Sequence, residues 1–181
     1  MKIITEIING AELNQSDLDL INEYRRIRLG RDTTWDHDKN NHFHDRTFFL
    51  VREEGNLVAF GTLRNIKLFI EKKEIEVMGI QAIISIIQGK GFGKVLMKSM
   101  IKYAEENKLI LVGFCDHKNA GFYIKSGLEV FENKNTSFIF IQENGEEYTE
   151  DGDVIYFSAS DSQVKDALMN GKKIKHFIPH W

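Results

Sequence analysis

The chain is short of cysteine and proline. Its one cysteine, Cys115, excludes an intrachain disulfide and supplies too few thiolates for a cysteine-based zinc site. Its one proline, Pro179, stands near the end, so Pro-rich linkers are not expected and no composition shift marks a domain boundary. Charge of one sign is lacking too. The 24 Lys and Arg face 27 Asp and Glu, a formal net charge of -3, which offers no broad basic field to nucleic acid or an anionic membrane. The most apolar run, from Ala82 to Ile87, is interrupted by Ser85 and is far too short to span a bilayer. Glu6 interrupts the start before any apolar stretch of signal-peptide length. Repeats and low-complexity tracts are absent. What remains is ordinary globular composition: 181 residues, 42% hydrophobic and 28% charged. The expectation is a single domain over residues 1–181, in a reducing cytoplasm, with neither nucleic acid nor membrane as partner.

Periodicity supplies the elements. Lys2 to Ile8 reads as a strand ended by Asn9-Gly10. Ser16 reads as an N-cap, followed by Leu18, Ile21, Tyr24, Ile27 and Arg28 at helical spacing up to Gly30. Residues 31–45 are polar and irregular. Thr47–Val51, Leu57–Ile70 and Glu74–Ile87 form an expected antiparallel meander. A helix then carries Val95, Leu96, Met100, Tyr103 and Ala104, and the apolar run Leu109–Phe114 reads as a strand buried on both faces. A short helix, Asn119–Ser126, closes on Gly127. Leu128–Phe131, Ser137–Ile141 and Asp153–Phe157 are further strands. The expected class is α/β: a mixed, mostly antiparallel sheet flanked by helices.

The most informative stretch is Gln88-Gly89-Lys90-Gly91-Phe92-Gly93-Lys94, between an apolar strand and an amphipathic helix. Glycines let successive backbone N–H groups face one point, and a helix N-terminus adds partial positive charge there, which suits a pyrophosphate. A plain glycine-rich turn has the same local pattern. A Walker A loop is excluded, because Gly93-Lys94 is followed by Val95 rather than Ser or Thr. A dinucleotide fingerprint fits poorly, because the spacing is Gly-x-Gly-x-Gly and the preceding strands read as antiparallel.

Gln88 to Gly93 resembles the Gln/Arg-x-x-Gly-x-Gly/Ala signature of the GNAT family of N-acetyltransferases, and the element order resembles that family across nearly the whole chain. The resemblance implies an acyl-CoA N-acyltransferase fold and acetyl-CoA as co-substrate. It implies that the loop and helix of residues 88–107 hold the pyrophosphate through Gln88, Gly89, Lys90, Gly91, Phe92, Gly93 and Lys94. It further implies that Ala82, Ile83 and Ile84 pair with the pantetheine arm as an added strand would.

Asn119-Ala120-Gly121-Phe122-Tyr123-Ile124-Lys125-Ser126-Gly127-Leu128 resembles the family's later helix. By that resemblance Tyr123 protonates the departing coenzyme thiolate, and Asn119 falls near a family asparagine that contacts the coenzyme, although Asp116 stands where that asparagine is expected. A phenol of pKa about 10 can supply a proton to a thiolate whose thiol has pKa about 8.5. A packing role beside Phe122 is the alternative. For the base, Glu76 on the strand before the loop is the candidate, against the reading of a solvated strand carboxylate; Gln81 lies nearer the loop, but an amide is no base.

Trp35-Asp36-His37-Asp38 and His42-Phe43-His44-Asp45 crowd three histidines and three aspartates into one segment. Their spacing matches no metal motif, so no metal is expected; the segment reads as a solvated loop or a wall of the acceptor pocket. Because an amine arrives protonated, Asp32, Asp36, Asp38, Asp151, Asp153 and the free carboxylate of Trp181 are candidate acceptor contacts, with Trp35 and Gln81 as further substrate contacts and the Trp181 indole as a flat wall. The C-terminal strands and tail, residues 136–181, resemble the aminoglycoside 2'-N-acetyltransferase branch in the turn Thr149-Glu150-Asp151-Gly152 and the terminal Trp181. Glu150 replaces that branch's proline, and Lys172, Lys173 and Lys175 make the tail basic, against a polycationic substrate. The expectation is acetyl transfer to a primary amine of a small molecule in a ternary complex, by a monomer or homodimer. The alternatives are an aminoglycoside-modifying enzyme and a non-catalytic acyl-CoA sensor.

Overall fold

The computed structural model describes residues 2–160 and 162–178. The fold is mixed α/β, with a mostly antiparallel sheet and helices, as the sequence predicts. Its contacts gather into two compact units, residues 1–64 with 81–100 and residues 65–80 with 101–181.

The first unit begins with β1 (Ile3–Asn9) and α1 (Gln15–Leu29). The helix starts one residue before the predicted cap: Asn14, not Ser16, accepts the N–H of Asp17. Gly30 closes it in the left-handed conformation, φ 61°. Leu18, Ile21 and Arg25 are the buried stripe, whereas Ile27, predicted to lie on it, is 54% exposed. Next come β2 (Arg46–Glu53) and β3 (Asn56–Ile70), and β2 runs antiparallel to both β1 and β3. Leu18, Ile21, Trp35, Phe43, Phe48, Phe60 and Ile84 share one core, each such side chain stabilising the fold by roughly 1.5–3 kcal/mol. Residues 31–45 therefore do more than the polar composition suggested: Trp35 and Phe43 anchor the segment in that core. Arg52 ties β2 to β1 and α1 through ion pairs with Glu6 and Asp17.

The second unit takes the last residues of β3 and the first of β4 (Lys73–Ser85). To these it adds β5 (Ile110–Cys115), α3 (Ala120–Ser126), β6 (Glu129–Phe131), β7 (Phe138–Ile141), β8 (Glu147–Tyr148) and β9 (Asp153–Ser158). The helix α2 (Phe92–Glu106) buries Leu96, Met97 and Met100 in the first unit and Ala104 in the second. With β10 (Ile174–His176), the second unit's strand order is β6-β9-β5-β4-β3-β10-β7-β8, with β4–β5 and β10–β7 parallel.

Three elements here escaped the sequence reading: β8, α4 (Gln163–Met169) and β10 (Ile174–His176). Ser162 caps α4 by accepting the N–H of Lys165, and Val164, Ala167 and Leu168 pack into the second core with Ile66, Leu68, Val112 and Tyr156. The tail is thus no appendage, since β10 lies between β3 and β7.

Candidate functional site

The glycine loop is built in the first unit. Gly89 and Gly91 have φ of 75° and 82°, a region that glycine enters without steric cost, and a Cβ at either position would meet nothing within 4 Å. Lys94 and Val95 both turn their N–H back to the Gly91 carbonyl, at 3.0 and 3.1 Å. The N–H groups from Gln88 to Gly93 have no acceptor among the described residues. Several donors and the start of a fifteen-residue helix thus face open space. That is the chemistry of an oxyanion cradle, and it fits the pyrophosphate of a coenzyme.

The strand that feeds the loop departs from regular geometry. Ala82 has φ 51°, which for a side-chain-bearing residue is strained and locally reverses the pleat. Among the described residues the ladder from β4 to β5 includes only Met78 and Gly79 of β4, so that edge of β4 has no partner strand there at Ala82, Ile83 and Ile84. Such an edge can take an added strand-like arm. Beside it the Gln81 side-chain oxygen is buried without a hydrogen-bond partner among the described residues, while the Gln81 carbonyl accepts the Thr62 hydroxyl at 3.4 Å. A buried acceptor left unpaired is costly, and a ligand N–H would satisfy it.

In the second unit Tyr123 sits on α3, half-buried and edge-on to Phe122 at 5.0 Å. Its hydroxyl has no hydrogen-bond partner among the described residues. Burial first, and then the neighbouring Cys115, hold the phenol well above its ordinary pKa, so it stays a proton donor at neutral pH. Cys115 itself is pushed up to about 11 by burial and by Asp153 and Asp116. It therefore remains a thiol and no nucleophile. Asn119 is exposed at the start of α3, its N–H donating to the Asp116 carbonyl. Glu76 is an exposed residue of β4.

The predicted acceptor residues scatter. Trp35 is only 5% exposed, packed against Phe43 and Phe48 and clamped by Asn22, which both donates to and accepts from its backbone. It is a core residue with cations on its face, not an open substrate contact. The Asp36 carboxylate is taken by its own loop: the N–H groups of Asp38 and Lys39 donate to it and hold its pKa below the ordinary range. Asp32 is exposed. Asp153 is 0% exposed, accepting from His117 through one oxygen and from the Asn133 N–H through the other, so it supports the β9 entry rather than meeting an acceptor. Asp151 is exposed, its carbonyl accepting from Asn135. Trp181 lies outside the described residues. Among the described residues no group of three or more His, Cys, Asp and Glu is arranged to hold a metal.

Sequence reasoning missed a hollow in the second unit. Phe114, Phe138, Phe140, Tyr148 and His176 line it, with Asn135 and Glu150 as its polar members. Its carboxylate is Glu150, a neighbour of the predicted Asp151. No local pattern marks the hollow, because β5, β7, β8 and β10 each bring one or two rings. Two of the three tail lysines are neutralised, Lys172 by Glu71 and Lys175 by Glu147, both at 2.8 Å, while Lys173 donates to the Thr136 carbonyl. The repulsion of polycations expected from them is therefore reduced.

Among the described residues no helix is long and apolar enough to cross a membrane. No curated protein matches the chain. Solved structures do. ElaA from Escherichia coli aligns with TM-score 0.57 at 17% identity, covering 86% of this chain and 97% of that one. A probable acetyltransferase from Staphylococcus epidermidis gives 0.57 at 20%, covering 88% and 100%. The N-acetyltransferase PseH from Campylobacter jejuni gives 0.52 at 18%, covering 86% and 99%. At such identities the likeness shows a shared fold. The aminoglycoside 2'-N-acetyltransferase branch gains no support from these matches. The sequence profile described as "Acetyltransferase (GNAT) family" matches residues 18–128, from α1 through the glycine loop to the end of the Tyr123 helix, and the chain belongs to that family.

Proposed function

We propose that the chain, acting as one domain over residues 1–181, transfers an acetyl group from acetyl-CoA to a primary amine of a small molecule, in the cytoplasm and as a monomer or homodimer. The observation that carries this is the loop from Gln88 to Gly93, with free N–H groups and two left-handed glycines at the head of α2. Acetyl-CoA supplies the thioester. The loop N–H groups bind its pyrophosphate, and the free edge at Ala82–Ile84 orders its pantetheine arm. Glu76, directly or through water, takes the proton that the amine must lose before its lone pair can bond to the carbonyl carbon. As the carbon–sulfur bond breaks, the sulfur leaves with the bonding pair and Tyr123 donates a proton to it. The raised pKa of Tyr123 suits a group that must be protonated when its turn comes.

Calorimetry with coenzyme A, followed by thiol-release assays over an amine library with acetyl-CoA, tests this reading. Binding with turnover on at least one amine is expected. Binding without turnover on any amine would point to an acyl-CoA sensor, and absence of coenzyme binding would overturn the glycine-loop assignment.

A further inference from the structure

The first unit holds a second concentration of donors, made of side chains. Arg25 from α1 places its guanidinium carbon 3.6 Å from the centroid of the Trp35 ring, and Arg46 from β2 places its own 4.7 Å from the same centroid. Directly across the ladder from Arg46 stands Arg64 of β3. Like charges opposite one another weaken a sheet, and burial makes an unpaired charge more costly still. Arg25 is 6% exposed and, among the described residues, donates only to Thr33 and Asn22, neither of them through a carboxylate. Arg46 spends one N–H on the His42 carbonyl at 3.4 Å, and its two terminal amino groups have no acceptor among the described residues. The charged groups facing Arg46 are Arg64, Asp45 and Arg25, and Asp45 is bonded to Arg64 at 2.9 Å. Burial first, and then Arg31 for Arg25 and Arg64 and Arg25 for Arg46, lower both to about 10, which leaves both charged at neutral pH. Stacking on the indole offsets part of the cost but supplies no hydrogen-bond acceptor.

We propose that Arg46, with Arg25 and Arg64 beside it and Trp35 beneath, forms an oxyanion site that takes a carboxylate or phosphate group of a small-molecule ligand. The fork of Arg46 matches two oxygens of such a group, and one added negative charge offsets a cluster in which the one carboxylate facing Arg46, Asp45, is already bonded to Arg64. A cationic group is excluded by the same charges. On the acetyltransferase reading above, the oxyanion belongs to the amine acceptor; that last step alone rests on the reading.

The chain has two tryptophans, so Trp181→Phe leaves Trp35 as the one indole. In that background, inorganic phosphate and succinate are titrated separately at constant ionic strength while indole fluorescence is followed. A saturable change with one of them is expected and identifies the oxyanion class. Arg46→Met, which keeps the stem on the ring, should weaken it about 10-fold or more, and Arg46→Lys, which keeps charge without the fork, by less. No saturable change with either anion overturns the site, as does unchanged affinity in Arg46→Met that retains the wild-type circular dichroism. The acceptor step is read separately, by acetylation of glutamate against glutamine and of phosphoethanolamine against ethanolamine. Preference for the charged member of a pair supports it, and equal rates overturn it while leaving the anion site standing. Failure of coenzyme A to bind overturns the acetyltransferase reading without touching the fluorescence result.

Discussion

The first unit contains two positive concentrations that differ in kind. The glycine loop gathers backbone N–H groups around open space, with no side chain within 4 Å of where a Cβ would stand at Gly89 or Gly91. The arginine cluster gathers side chains over a buried indole that also anchors the core. The loop can therefore be altered at little expense to the fold, whereas the cluster cannot, because Trp35 serves packing and charge together. This separation is open to experiment.

The largest effect is expected at Trp35. Trp35→Ala empties a fully packed site and removes the surface under two guanidiniums, so stability should fall by about 3–5 kcal/mol in a urea titration. A loss under 1 kcal/mol would mean that the ring contributes little to the core.

Tyr123→Phe touches neither donor site and should leave both binding readouts as they are. Its effect should lie in turnover, with kcat lower by about 10²-fold or more at unchanged coenzyme affinity. If kcat holds, the phenol is a packing residue and water carries the proton.

Gly91→Asp is the converse of Trp35→Ala. It puts a carboxylate among the loop N–H groups and a side chain at φ 82°, so coenzyme A affinity should drop by about 100-fold. Because nothing crowds the position, the backbone strain is of order 1 kcal/mol and the fold should survive. The indole response to anions should also be unchanged. Wild-type calorimetry in a folded Gly91→Asp variant would remove the loop from the site.

The same contrast explains what could be read from the chain. The glycine loop is contiguous, set between a strand and a helix of clear periodicity, so local pattern carries both geometry and chemistry. Arg25, Trp35, Arg46 and Arg64 come from a helix, a loop and two strands, and only the β2–β3 register and the packing of Trp35 bring them together. Composition pointed instead to the aspartates of the segment as the charge that mattered, and Asp36 proved to be occupied with its own turn. The tail failed for a related reason. The apolar content of α4 is Val164, Ala167 and Leu168, too brief to stand out, and β10 is a strand because β3 and β7 receive it rather than because Ile174–His176 has strong preference.

His176 on β10 completes the comparison, since it shows the other way to bury a base. The arginines remain charged and lean on an indole; the imidazole lies against Phe140, stacked at 5.6 Å, and can shed its proton. Its Nδ1–H donates to the Ile178 carbonyl at 3.0 Å. Burial lowers its pKa below the ordinary 6.5, opposed more weakly by that carbonyl and by Glu150. In the unfolded chain the ordinary value returns, so the unfolded state binds the proton more readily than the folded one. The contribution of the neutral imidazole is therefore fully present above about pH 6.5 and is lost as pH falls through the lower folded value. His176→Phe keeps a ring against Phe140 and cannot titrate. Its denaturation midpoint should fall less between pH 7.5 and 5 than that of the wild type, a smaller effect than any above. Parallel slopes for the two proteins would show that acid sensitivity arises elsewhere and that His176 is not held neutral by its surroundings.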